Sequence, residues 1–184
     1  NYSSMLPPFT TMFLIDDEND EFWSQRKISR DDWKATANSE LTTSESSEGP
    51  ISNILDGGKL SIRISKYNNY GYGGHDERDP VNTGPFIIRI SLFKVTEFNA
   101  FSYTPANVMN GRFKHYEFYA AQTEEELNLM IESTKYLAKG DINATSNLTT
   151  LVVFNETIKA QHVALLSLNH DRYGSCAEFN LYSD

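Results

Sequence analysis

Short runs rich in apolar, β-branched and aromatic residues, some alternating with polar ones, fill six stretches of this chain, at residues 86–93, 97–103, 113–121, 151–154, 161–168 and 178–182. That pattern predicts strands. Two shorter strands are predicted at 33–39, where Trp33-Lys-Ala-Thr-Ala-Asn-Ser39 alternates, and at 60–64. The Ser/Thr/Glu-rich stretch 41–50 and the Gly-, Asn- and Tyr-rich stretch 67–85 hold no period and predict loops. One helical signal exists, Thr123-Glu-Glu-Glu-Leu-Asn-Leu-Met-Ile-Glu-Ser133, with Thr123 as cap and acids in the first turn. Its apolar residues do not fall cleanly on one face, so a short turn is the alternative. Many short strands between turn-rich loops predict an all-β sandwich.

Length and charge narrow the picture. At 184 residues the chain suits one domain. Residues 1–27 read as a lead-in or linker, and residues 28–184 as the sandwich. The lead-in holds Pro7-Pro8, an apolar run at 12–15 and the acidic run Asp16-Asp-Glu-Asn-Asp-Glu21. That run lacks the glycine and closing Glu of an EF-hand loop and predicts a solvated linker. Trp23 is expected to pack the lead-in against the sandwich, and Trp33 to lie in the core. With 25 acidic residues against 16 basic ones, the chain lacks the basic face that a nucleic-acid partner requires. No apolar run approaches the ~18 residues of a membrane span, and acidic, tyrosine-rich loop tips disfavour membrane insertion. The absence of an initiator Met suggests a piece of a longer or processed chain. Cys176 stands alone, so no intrachain disulfide forms. Four Asn-X-Ser/Thr sequons, at Asn1, Asn143, Asn147 and Asn155, permit a secreted setting.

Chemistry-bearing motifs are few. The chain has no zinc-binding His-Glu-X-X-His helix, phosphate-binding glycine loop or nucleophile elbow, which argues against an enzyme. Cys176 reads as a small buried side chain, and His115 and His162, set in strand patterns, read as structural histidines. Two distant segments are more informative. The turn in Ile51-Ser-Asn-Ile-Leu-Asp-Gly-Gly-Lys-Leu-Ser61 gathers a carboxylate, carbonyls and a hydroxyl, and the closing strand could bring Glu178 to the same point. Such an oxygen set suits a hard cation.

Six segments stand in order along the chain: Asp32-Trp-Lys-Ala-Thr-Ala-Asn-Ser39, Asn53-Ile-Leu-Asp-Gly57, Pro85-Phe-Ile-Ile-Arg-Ile90, Tyr103-Thr-Pro-Ala106, Gly111-Arg-Phe-Lys-His-Tyr-Glu117 and Ala177-Glu-Phe-Asn-Leu-Tyr182. Together they resemble the discoidin family, also called coagulation factor 5/8 type C domains or family 32 carbohydrate-binding modules. The resemblance covers residues 28–182. It implies an eight-stranded jelly-roll β-sandwich with at most one short helix, often holding a structural Ca²⁺. Carried over by position, the Ca²⁺ ligands are the carbonyls of Ile54, Gly58 and Ala177 and the side chains of Asp56, Ser61 and Glu178. The family usually has Asn at the Gly58 position and Thr at that of Ser61; backbone and hydroxyl ligation survive both changes. The alternative is that Asp56 only stabilises an Asx turn and Glu178 is a surface strand residue.

The resemblance also implies a sugar site in the loops at one end, where an aromatic ring stacks on the sugar while a His, an Arg and an Asn bind its hydroxyls. This sequence keeps Asn110 and can supply the ring from Tyr173. It replaces the His by Ile64 and the Arg by Ala106. Substitutes are available in Tyr67, Tyr70, Tyr72, His75 and Arg78 of one loop and His170 and Arg172 of another, although the first loop could simply pack on its own aromatics. The expectation is a non-catalytic, monomeric module of a larger secreted or cell-surface protein, such as a glycan- or glycoprotein-degrading enzyme. It would bind a glycan or glycoprotein of galactose type. A protein-interaction or spacer domain that kept the fold alone is the alternative.

Overall fold

A computed structural model describes residues 7–17, 19–38, 51–56, 67–69 (as backbone), 85–106, 109, 111–168 and 174–184. Nine strands are present among them: β1 (Thr10–Ile15), β2 (Lys34–Ala37), β3 (Tyr67–Asn69), β4 (Phe86–Thr104), β5 (His115–Ala121), β6 (Ala138–Asp141), β7 (Thr149–Ser167), β8 (Gly174–Cys176) and β9 (Glu178–Tyr182). Helix α1 (Glu21–Ser24) is a single turn, and α2 (Glu124–Glu132) is the predicted helix. A 3-10 helix spans Ile51–Leu55.

The sandwich is organised by β4 and β7, each 19 residues long and paired antiparallel along their length. Their register slips between Ser91 and Thr96 and again between Phe98 and Ala100, so the pair folds over and serves two layers. In the first layer, the early half of β4 pairs with β2, and the late half of β7 pairs with β5, which pairs with β6. In the second, the late half of β4 pairs with β9 and the early half of β7 with β1. The layers meet through aromatic rings. Phe101 of β4 stacks on Phe118 of β5 at 4.2 Å, and Phe179 of β9 packs beside both. Burying each such ring contributes about 1.5–3 kcal/mol.

The fold-over explains where sequence and structure part. The predicted strands at 86–93 and 97–103 are one strand, as are those at 151–154 and 161–168. The extra residues are absorbed at the bend, where Phe93 adopts a φ of 72°. Tyr67, expected in a structureless loop, lies in β3, opposite Cys176 of β8. The lead-in supplies β1, whose partners run from Thr10 opposite Phe154 to Ile15 opposite Thr149. The acidic run is more than a solvated linker: Asp20 caps α1 by accepting from Trp23 N at 3.0 Å, and Asp17 pairs with Lys27 at 2.9 Å. Trp23 does pack edge-on to Tyr182 of β9, and Trp33 is 9% exposed in the core. Thr123 caps α2 as expected, and the helix buries Leu127 and Met130 three residues apart. The predicted strand at 60–64 and loop at 41–50 lie outside the described residues.

Candidate functional site

Both ends of β4 come to the same end of the sandwich. Phe86 at its start lies against Gly174, where an added Cβ would stand 3.0 Å from the ring. Thr104 at its finish accepts from Ala177 N at 2.8 Å. Three framework points converge there. Asn69 pairs with Gly174, and Ser175 N donates to Gly111 O at 2.8 Å. Gly111 has a φ of 79°, in the left-handed region that glycine enters without strain.

Two buried groups fix these points. The Tyr103 hydroxyl donates to Ser175 O at 2.6 Å and accepts from Phe113 N at 3.1 Å. Burial, the largest cause, drives its ionisation far upward, so it stays a phenol. The Arg112 guanidinium is 2% exposed for the residue as a whole. It donates to the carbonyls of Ala106 (2.9 Å), Ala144 (3.1 Å) and Ser146 (3.1 Å) and to Oδ1 of Asn147 (2.8 Å). One side chain thereby ties residue 106, just after β4, to the 144–147 segment. Ala106 is itself fully buried, so this position turns no side chain toward a ligand.

The candidate ligand residues attach to this frame. Asn110, His170, Arg172, Tyr173, Tyr70, Tyr72, His75 and Arg78 lie outside the described residues, as does Ile64. Their described chain neighbours Gly111, Gly174 and Asn69 are the three points that converge. Tyr67 is placed by its backbone in β3.

His115, the first residue of β5, has a side chain that is 59% exposed, and its Nδ1 lies 2.6 Å from Asp141 Oδ1 across the β5–β6 ladder, a cross-strand contact in keeping with a structural histidine. The first residue of a strand at an open sheet end does not share the burial of the ladder behind it. Cys176 is fully buried, and burial, then the Glu178 charge, hold its thiol well above the ordinary value. A thiol so held is a poor nucleophile at neutral pH.

The expected cation set stands at the start of β9, one residue past the Ala177–Thr104 contact. Glu178 begins β9 and is 8% exposed. Its Oε1 accepts from Arg30 Nη2 at 3.1 Å, and Arg30 Nη1 donates to Ile54 O (3.0 Å) and Phe179 O (2.8 Å). One guanidinium thus touches two of the predicted ligands, which puts the Asp56 turn and β9 side by side. Asp56 follows the 3-10 helix, and its N–H donates to Asn53 O at 3.4 Å. Ala177 is held by its N–H on Thr104. Gly58 and Ser61 lie outside the described residues. Among the described residues no three His, Cys, Asp or Glu side chains cluster as metal ligands. The expected set has only two carboxylates and draws the rest of its oxygens from carbonyls and a hydroxyl. A carbonyl has two lone pairs and a carboxylate about four acceptor sites, so Arg30 and a hard cation can share Ile54 and Glu178. The described members, the Ile54 and Ala177 carbonyls and the Asp56 and Glu178 carboxylates, are oxygen donors of the type Ca²⁺ takes, and Arg30 brings Ile54 O and Glu178 close together. A cleft of about 950 Å³ opens on this flank, its described lining including Arg30, Trp33, Lys34 and Asp56.

The family model of the F5/8 type C domain matches residues 34–179. The chain belongs to the F5/8 type C domain family. Solved structures share its fold. CpGH89CBM32-5 from Clostridium perfringens, in complex with GalNAc-β-1,3-galactose, is 24% identical with a TM-score of 0.67, covering 85% of this chain and 99% of its own. The family 32 module of Clostridium perfringens NanJ, in complex with galactose, is 22% identical with a TM-score of 0.63, covering 86% and 98%. A structure of the CBM32-1, CBM32-2 and M60 catalytic domains of Clostridium perfringens ZmpB is 16% identical with a TM-score of 0.70, and covers 95% of this chain and 17% of that one. No curated protein matches the chain.

Within this F5/8 type C domain, sequence reasoning missed the two arginines that hold the frame. Arg112 sits inside the quoted Gly-Arg segment, so a signal for it existed. Arg30 precedes the first matched strand, and no local pattern distinguishes it. No helix among the described residues is long and apolar enough to cross a membrane.

Proposed function

We propose that this F5/8 type C domain is a non-catalytic glycan-binding module. The observation that carries the reading is the meeting of Asn69, Gly111 and Gly174 at one end, because the chain segments bearing Tyr70, Asn110 and Tyr173 leave from those three residues. Tyr173 would stack on the apolar face of a sugar and Asn110 would bind its hydroxyls, with His170, Arg172 and the 67–78 segment taking the roles that Ile64 and Ala106 do not fill. Galactose-type sugars are the first candidates, since relatives of the same fold were solved with galactose and with GalNAc-β-1,3-galactose. The module would act as a monomer outside the cell, within a larger chain that it brings to glycans. Ca²⁺, held by Ile54, Gly58, Ala177, Asp56, Ser61 and Glu178, would serve stability by cross-linking the Asp56 turn to β9.

A glycan array followed by titration calorimetry tests this. Saturable binding, abolished by Tyr173→Ala and weakened about tenfold by Asn110→Ala, is expected from the loss of roughly 1–3 kcal/mol per hydrogen-bonding reader. A blank array at millimolar ligand refutes it. The buried Ala106 favours one competing reading, a protein-interaction domain that kept the frame without the sugar site; capture of one partner that is lost with Tyr173→Ala, alongside a blank array, would support that reading.

A further inference from the structure

At the end of the sandwich opposite the candidate ligand loops, β7 carries more residues than its partner. Between the pairs Phe98–Ile158 and Ala100–Val153, the four residues 154–157 face Asn99 alone. This bulge contains the sequon Asn155-Glu156-Thr157, and all three of its residues are exposed. Asn155 N donates to Phe9 O at 3.0 Å, which anchors the backbone. Among the described residues, neither the Asn155 amide nor the Thr157 hydroxyl makes a side-chain hydrogen bond.

The other described sequons differ. The Oδ1 of Asn147 accepts from Arg112 Nη2 at 2.8 Å, and its Thr149 is 3% exposed with a hydroxyl 2.8 Å from that of Thr104. Asn143 is exposed, but its Oδ1 accepts from Thr145 N (3.1 Å) and Thr145 Oγ1 (2.7 Å), closing a turn at the ligand end. Asn1 lies outside the described residues.

We propose that Asn155 is an N-glycosylation site of this domain when the chain passes through a glycosylating secretory compartment. The donor is a polyprenyl-diphosphate-linked oligosaccharide. Its sugar C1–O bond to phosphate breaks, a C1–N bond forms to Asn155 Nδ2, one amide proton passes to a base of the transferase, and the polyprenyl diphosphate leaves. The placement has two consequences. A glycan on Asn155 points away from the loops that leave Asn69, Gly111 and Gly174, so it does not occupy the domain's own ligand end. It also stands beside Phe9, a residue 83% exposed, and shields that apolar surface from water and from other chains.

The chain, secreted from a cultured eukaryotic cell line behind a heterologous leader, gives the test. Intact mass is compared before and after peptide N-glycanase, and the peptide containing residue 155 is mapped for the Asn-to-Asp conversion that the glycanase leaves. Conversion at Asn155 is expected in most molecules, with Asn155→Gln and Thr157→Ala each lowering the untreated mass by one glycan and Asn147→Gln leaving it unchanged. Secreted, folded protein whose Asn155 peptide is unmodified overturns the proposal, whatever the variants do. Modification at Asn147 in place of Asn155 overturns it as well.

Discussion

Replacing Arg112 by Met tests the frame on which every functional statement here depends. The methionine keeps the aliphatic stem but removes the donor from three backbone carbonyls and one side-chain amide. Charged hydrogen bonds contribute about 1.5–3 kcal/mol each, but the four do not add, because the acceptors at 144, 146 and 147 are part-buried and recruit water once the guanidinium is gone. The acceptors left behind are neutral, so the cost is that of about two such hydrogen bonds, roughly 3–5 kcal/mol, out of a total stability of roughly 5–15 kcal/mol. For a domain of this length each kcal/mol lowers Tm by about 2–4 °C, so the expected fall is roughly 6–20 °C. Arg112→Lys should recover only a minor part, since a single ammonium cannot span acceptors on both sides of a planar fork. Calorimetry and urea unfolding at neutral pH measure both. A Tm for Arg112→Met within about 2 °C of the parent would refute the reasoning, because it would mean that the 106 and 144–147 segments hold together without the guanidinium.

Three further outcomes are expected. Gly174→Ala drives a Cβ to 3.0 Å from the Phe86 ring at the junction of β3, β4 and β8, and should cost about 1–3 kcal/mol by urea unfolding; a neutral effect would mean that the ring is free to shift. Stability should fall steeply above about pH 10, because burial pushes Tyr116 up to about 12 and drives Tyr103, Tyr119 and Tyr182 higher still. The unfolded chain loses these protons near their ordinary value of 10 while the folded chain keeps them, so the stabilisation is complete below that pH and is lost through about 12 and beyond; phenolate absorbance equal to ionisation of all ten tyrosines in still-folded protein would contradict it. Millimolar Ca²⁺ should raise Tm, by roughly 5–11 °C at a hundred times Kd, with reversal by chelator and loss of the response in Glu178→Gln. The readout is the Ca²⁺ response rather than the absolute Tm, since that variant also weakens the Arg30 contact.

Strand positions were legible in the sequence wherever apolar and polar types alternate, even in β9, which is buried at all five positions. The alternation at 113–121 and 178–182 reported β5 and β9 to within two residues, and Thr123 with its three acids marked α2. What periodicity cannot report is a strand that bends. At the turnover of β4 and β7 both faces change partners, so the alternation breaks and one strand reads as two. β1 is illegible for a different reason: as an edge strand it is exposed along nearly its whole length, and Met12, Phe13 and Leu14 are each more than a third exposed despite their apolar type. The exposure of His115 is similarly a property of its place at a ladder end, which no local pattern encodes.

The cation flank and the ligand end call for different kinds of evidence because they are built from different chemistry. In the proposed cation site Ile54, Ala177 and Glu178 would act through backbone position and one carboxylate, and the fold that places Arg30 between Ile54 and Glu178 brings the oxygens of those two together. A motif carried over by position is therefore informative about that flank. The proposed sugar recognition would depend instead on side chains carried by the segments that leave the frame, and there a change such as Ala106 in place of the family's Arg would remove a reader without disturbing Tyr103, Arg112 or Gly174. The frame can persist while the ligand changes. It follows that stability measurements on Arg112 or Glu178 cannot stand in for binding measurements on Tyr173 and Asn110, and that a variant which leaves Tm unchanged while abolishing glycan binding is the result that would separate the two.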